Sequence, residues 1–223
     1  EVGGNYKSMT VLGSDVDLSV HSFLGGHSTG TFDEIIAAAK SNQLNFVVMT
    51  EHPSKSFSTA EMTLRGVHDG VLFINGNEVS TAQADRLLVI PGNESAANTD
   101  QHSTQQVVSQ AKVGKATVFV AYPEEFKSWD STDYDGVEVY NVYTNAREIN
   151  RVVMFFDGLW SYRSYPDLLF ATFYKRPAES LRRWDSAIAI RKQRLVAVAG
   201  NDAHANVGLA LKDTSGNTLL GLK

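Results

Sequence analysis

Cysteine is absent from the 223 residues, which excludes disulfides, thiolate metal sites and cysteine nucleophiles. Any metal chemistry therefore falls to imidazole and carboxylate donors, a set that suits Zn, Mn or Fe. The same absence says nothing about compartment. No apolar run approaches bilayer-spanning length and no signal-peptide pattern opens the chain, so a soluble protein without a membrane span is expected, its location open. No internal repeat, low-complexity tract or linker interrupts the sequence. That favours one domain over residues 1–223, with its core at about 15–206. A net charge of −5 disfavours a broad nucleic-acid-binding surface. The chain opens on Glu1 and closes on Asn217-Thr-Leu-Leu-Gly-Leu-Lys223; it reads as a processed or excised segment with truncated termini.

What is present is ordinary in bulk and specific in pattern. The hydrophobic share is 43% and the charged share 20%, as in soluble globular proteins. From residue 15 onward short apolar runs alternate with helical periodicity, which predicts βα units around a mainly parallel sheet. Strands are predicted at Val16–Val20, Leu44–Thr50, Val71–Asn75, Arg86–Ile90, Ala116–Ala121, Gly136–Tyr140 and Leu195–Ala199. Capping boxes at Thr31-Phe-Asp-Glu34, Ser58-Thr-Ala-Glu61 and Ser103-Thr-Gln-Gln106 open helices. Pro177 starts another, reaching about Gln193, and residues 92–101 read as a loop. The aromatic-rich segment from Asn145 to Arg176 reads as helical pieces with a turn at Tyr165-Pro166; buried helix packing explains most of the aromatics of 155–174, the alternative being contact with a partner or a missing downstream part of the chain.

The polar residues collect where those strands end. His21 and His27, Glu51 and His52, Glu78, Tyr122, Glu138 and Asn141, and Asp202 with His204 all fall there. In a βα barrel such ends open onto one face, so residues distant in sequence converge. Taken singly, each has a plain alternative. A histidine after a strand is usually a capping or hydrogen-bonding residue, Glu78 a loop carboxylate, Asp202 a helix N-cap. Joint occurrence at five strand ends is what argues for a shared metal site. His68 reads as a solvated turn residue, and His102 lies near a helix start with its role open.

The order of motifs resembles the PHP (polymerase and histidinol phosphatase) superfamily of metal-dependent phosphoesterases. The matching text is Ser19-Val-His21-Ser22 with Ser28-Thr-Gly-Thr31, then Thr50-Glu51-His52, Gly76-Asn-Glu78, Ala121-Tyr122-Pro123, Gly136-Val-Glu-Val-Tyr-Asn141 and Asn201-Asp-Ala-His204. The resemblance implies an α/β fold, a distorted seven-stranded βα barrel of PHP/TIM-like type, binding up to three divalent ions. It implies His21, His27, His52, Glu78, Asp202 and His204 as metal ligands. One ion position would use His27, His52 and His204, and a second His21, Glu78 and Asp202. Departures fall at Ser19 and Tyr122, where the family carries histidines, and at Asp85 or Arg86, near another such place. One or two ions are therefore expected.

The activity implied is hydrolysis of phosphate esters on a small phosphorylated substrate by a metal-activated hydroxide. His21, Glu78 and Asp202 would be catalytic, with Glu51 orienting an imidazole through its free nitrogen. Arg86, Arg147, Arg151 or Arg163 can grip a phosphate, each weighed against being a solvated helix charge. The alternative is a degenerate barrel that binds metal, ligand or a partner without catalysis. Sugar or amide hydrolysis at a similar centre survives on chemistry alone, without motif support.

Overall fold

The computed structural model describes residues 9–11, 14–142, 144, 160, 164–165, 174–192, 194–205, 209–212 and 218–222. In chain order its elements are β1 (Met9–Val11), β2 (Ser14–Val20), α1 (Phe32–Ser41), β3 (Phe46–Glu51), α2 (Thr59–Met62), β4 (Gly66–His68), β5 (Val71–Ser80) and β6 (Arg86–Ile90). They continue with α3 (Thr104–Val113), β7 (Thr117–Ala121), β8 (Gly136–Asn141), α4 (Ala178–Arg191), β9 (Val196–Gly200), β10 (Leu209–Lys212) and β11 (Thr218–Leu222).

Seven strands, in the order β2-β3-β5-β6-β7-β8-β9, make a nearly closed barrel. β1 and β4 add antiparallel edges to β2 and β5, and β10 pairs with β11 alone. Closure comes from the chain after β9. Ala203 bridges Val20, the Asn201 amide donates to the Leu18 carbonyl at 3.1 Å, and the Ala203 amide donates to the Ser19 carbonyl at 2.8 Å. The joins β2–β3, β3–β5, β7–β8 and β8–β9 are parallel. The expected parallel sheet is reversed at one strand, because β6 runs antiparallel to both β5 and β7. The turn Thr81–Asp85 is too short for a crossover, so the chain can only double back. As a result β6 presents its first residue, Arg86, at the rim where β5 and β7 present their last.

Alternation along each strand separates an outer face, under the helices, from the barrel interior. Val47, Met49, Val71 and Phe73 pack outward with Phe32, Ile35 and Ile36 of α1. Val79, Leu87, Val89, Val118, Val120, Val137 and Val139 pack with Val107, Val108 and Ala111 of α3 and with Trp184, Ala187 and Ile188 of α4. Glu78 and Leu88 face each other across β5–β6 on the opposite parity, as does Glu138 on β8. Two of the three expected capping boxes form, Thr31 with Glu34 and Ser103 with Gln106. At Ser58 none does, and α2 stops after one turn. Residues 92–101 include a 3-10 segment, Glu94–Gln101, in place of a plain loop. Most of the aromatic segment 155–174 lies outside the described residues. Trp160, Tyr165 and Tyr174, which are described, are exposed rather than interior.

Gly136 shows how tightly the far side of the barrel closes. It pairs with Phe119 on β7 and with Val196 on β9, and a Cβ there would overlap the Val196 carbonyl and the Phe119 ring. Gly136→Ala is expected to destabilise the protein by about 1–3 kcal/mol, the usual cost of overpacking, as read by denaturant unfolding.

Candidate metal centre

His21 sits at the end of β2, only 2% exposed, and everything else at the rim is arranged about it. Its Nε2 lies 3.3 Å from Asp202 Oδ1, 3.5 Å from Glu78 Oε2 and 3.4 Å from Thr50 Oγ1. Its ring is stacked between those of His52 and His204, with centroids at 4.8 and 4.6 Å. His27 stands edge-on to the outer pair, 5.0 Å from His52 and 4.8 Å from His204, and 6.4 Å from His21. Four strand ends and the loop after β2 thus deliver four imidazoles and two carboxylates to one place.

Two groups of donor atoms fall within 4.8 Å: His21 with Asp202 and His204, and His21 with His52 and Glu78. Both share His21. The resemblance grouped the same six residues differently, with His27 beside His52 and His204. The geometry gives those two imidazoles to separate carboxylates and leaves His27 flanking both groups. The donor chemistry fits divalent ions, being imidazole and carboxylate without thiolate. The orientation of the outer rings fits as well. His52 Nδ1 faces the Glu78 carbonyl at 3.3 Å and His204 Nδ1 faces the Asp202 carbonyl at 2.6 Å. A carbonyl only accepts, so each Nδ1 donates, and each Nε2 keeps the lone pair a metal needs. His21 Nδ1 is buried with no hydrogen-bond partner.

The backbone is bent to make this possible. Ser19, Tyr122 and Asp202 are all in the left-handed region, with φ of 64°, 48° and 51°, a conformation that side-chain-bearing residues adopt at a cost. At Ser19 the β2–β3 register shifts between Asp17 and Val20. Ser19 accepts a hydrogen bond from Thr50 Oγ1 at 3.3 Å. Tyr122 donates its hydroxyl to Asp202 Oδ2 at 2.7 Å. Arg86 donates from Nη1 to Glu78 Oε1 at 2.9 Å. It stands on a strand, where a solvated helix charge was the default expectation. Arg147, Arg151 and Arg163 lie outside the described residues.

Glu51 has turned the other way. Its buried carboxylate accepts from the Ser22 amide, from Ser22 Oγ and from Thr63 Oγ1 at 2.9 Å. These partners are an amide and two hydroxyls where an imidazole was expected, so Glu51 ties the loop after β2 to the end of α2. The parity of β3 explains it: Val47 and Met49 face the helices, so Glu51 does too and His52 faces in. Asp85 is held by Thr104 Oγ1 and the Lys127 amide. His68 lies in β4, its Nε2 3.0 Å from the Arg65 carbonyl. The imidazole of His102 falls outside the two donor groups.

Burial and charge set the protonation pattern. Burial alone would push the His21 pKa down, but hydrogen bonds and charge from Asp202 and Glu78 raise it to about 9. Burial would raise both carboxyls, yet His21 holds Glu78 and Asp202 below their usual range. Desolvation pushes His52 and His204 down, which keeps them neutral. Burial raises Tyr122, with the charges of Glu78 and Asp202 adding to it, so its hydroxyl stays a donor. Deeper in the barrel, burial lifts Glu138 to about 8 and Asp17 to about 7. Glu138 accepts from Asn141 Nδ2 at 3.3 Å through one oxygen, and its other oxygen has no partner.

No protein-family model matches the sequence, and no curated protein matches it. Solved structures do. An inferred metal-dependent phosphoesterase from Bifidobacterium adolescentis aligns over 86% of this chain and 88% of its own, with a TM-score of 0.51 at 11% identity. PsfC from Pseudomonas syringae aligns over 85% and 75%, with a TM-score of 0.51 at 14% identity. The fold is a PHP/TIM-like barrel. A two-domain protein from Bacteroides vulgatus containing a PHP-like metal-dependent phosphoesterase matches 56% of this chain at 16% identity, with a TM-score of 0.38. The chain spans 44% of that protein's length. Among the described residues of this PHP/TIM-like barrel, no helix is long and apolar enough to cross a membrane.

Three groups give the metal-free barrel one pH trend. Glu138, Asp17 and His21 all have folded pKa values above their ordinary ones. Their stabilising contribution is complete below the unfolded values. It is lost as pH rises through about 7, 8 and 9. In chelator-treated protein the thermal midpoint should therefore fall between pH 6.5 and 9, and Glu138→Gln should flatten part of that fall. An unchanged slope in the variant would show that Glu138 is already ionised.

Proposed function

We propose that this chain is a PHP-type hydrolase of phosphate esters, acting on a small phosphorylated substrate with one or two divalent ions. Zn, Mn and Fe all suit its donors. The observation that carries the proposal is the meeting of two donor groups at His21, each with a carboxylate and a second imidazole. When bound, divalent ions at such a place supply Lewis-acid polarisation of a phosphoryl oxygen and activation of water.

The chain's own residues supply orientation and charge. Glu78 and Asp202 bring the negative charge that draws cations to the rim. His52 and His204 are fixed by backbone carbonyls so that one nitrogen of each points into the centre. Tyr122 holds the outer oxygen of Asp202, which removes the freedom of that side chain to rotate. Thr50 fixes the edge of His21 from β3. Glu51 acts at a distance from the reacting atoms, by holding the loop that carries His27.

A binding-only barrel is the second reading, favoured by one observation. Ser19 and Tyr122, where the resemblance implies histidines, are engaged with Thr50 and Asp202. Turnover separates the two readings. Hydrolysis of p-nitrophenyl phosphate should appear with Mn or Zn, disappear with chelator and return on adding metal. Asp202→Asn should lower it by about 100-fold or more, the scale on which loss of a preorganised electrostatic group is felt. Metal-loaded protein without turnover would establish the second reading.

A further inference from the structure

Arg86 is the residue at this rim that the metal centre does not account for. The antiparallel register places it opposite Ser80 on β5 and Ala121 on β7. It therefore stands between the strand of Glu78 and the strand that ends at Tyr122. Glu78 is 2% exposed at its side chain, whereas the Arg86 side chain is 40% exposed. One N–H of the guanidinium reaches down to Glu78 Oε1 at 2.9 Å. A guanidinium carries five N–H donors in a fixed plane, so others remain on the half-exposed side of Arg86, next to Glu78.

Pairing with the buried Glu78 carboxylate occupies one N–H of Arg86, and the half-exposed position of the guanidinium leaves its remaining donors within reach of a ligand. A second consequence is chemical. A phosphate dianion approaching the centre would otherwise meet the Glu78 carboxylate. Arg86 neutralises that oxygen and offers planar donors in its place, the arrangement that matches terminal phosphate oxygens. We propose that Arg86 is the phosphate-gripping residue of this centre. Docked on Glu78, it binds the non-bridging oxygens of a phosphomonoester, whose terminal phosphoryl group presents more charge and more free oxygens than a diester. The proposal rests on the phosphoester reading and adds to it the residue that orients the substrate and the monoester class.

The test is binding of inorganic phosphate, measured by calorimetry on Mn-loaded protein with metal content determined on the same samples. Arg86→Gln should weaken phosphate binding by about 10- to 100-fold, the value of losing charge-assisted hydrogen bonds. Its metal content should match wild type. Arg86→Lys should recover part of the affinity, and Lys40→Met, which removes an exposed charge on α1, should change nothing. Phosphate affinity unchanged in Arg86→Gln would overturn the proposal while leaving the metal centre intact. Loss of metal from Arg86→Gln would overturn it too, because Arg86 would then serve Glu78 rather than the anion. Wild type that takes up neither metal nor phosphate would remove the proposal and the phosphoester reading together.

Discussion

The structure depends on the placement of one imidazole nitrogen between two buried carboxylates. His21 Nε2 lies 3.3 Å from Asp202 and 3.5 Å from Glu78, two residues brought by strands on opposite sides of β2 in the barrel order. Two buried carboxylates near each other are costly unless positive charge is shared between them. In the metal-free chain a proton on His21 supplies that charge. The same nitrogen and the same oxygens are what a divalent ion would use, so ion and proton compete for one arrangement.

That arrangement is possible only because the barrel closes. The chain after β9 returns to β2 through Asn201 and Ala203, which sets Asp202 and His204 beside His21. The left-handed backbone at Ser19 and Asp202 lies at this seam. A strand without the irregularity at Ser19 would turn every later side chain of β2 to the other face. Gly200 is part of the same seam, since a Cβ there would run into the Glu138 carboxylate and the Leu18 carbonyl. Local strain, closure and ligand placement are thus one structural fact seen at three scales.

Much of this is legible in the sequence, and the gaps have physical causes. The alternation of apolar runs gives the strands, polar residues at their ends give the cluster, and the motif resemblance narrows that cluster to six candidate ligands. Strand boundaries are less visible. β5 continues through Gly76-Asn-Glu78 to Ser80, so Glu78 is an interior strand residue and not a loop carboxylate. β3 continues to Glu51, and its parity decides that Glu51 faces the helices. Both follow from period two once the strand is drawn long enough. The contact of Arg86 with Glu78 requires knowing that β6 is antiparallel, which the short Thr81–Asp85 turn implies on its own. That His21 belongs to both donor groups is different in kind. It follows from the register shift at Ser19, which no local pattern announces.

The central claim is that His21 is the imidazole common to both donor groups, with His27 standing beside them. The measurement that tests it most directly is elemental analysis of wild type, His21→Gln and His27→Gln after loading with Mn and desalting. The account predicts at least one ion per chain in wild type, near none in His21→Gln and retention in His27→Gln. Metal kept by His21→Gln, or lost only from His27→Gln, would contradict it.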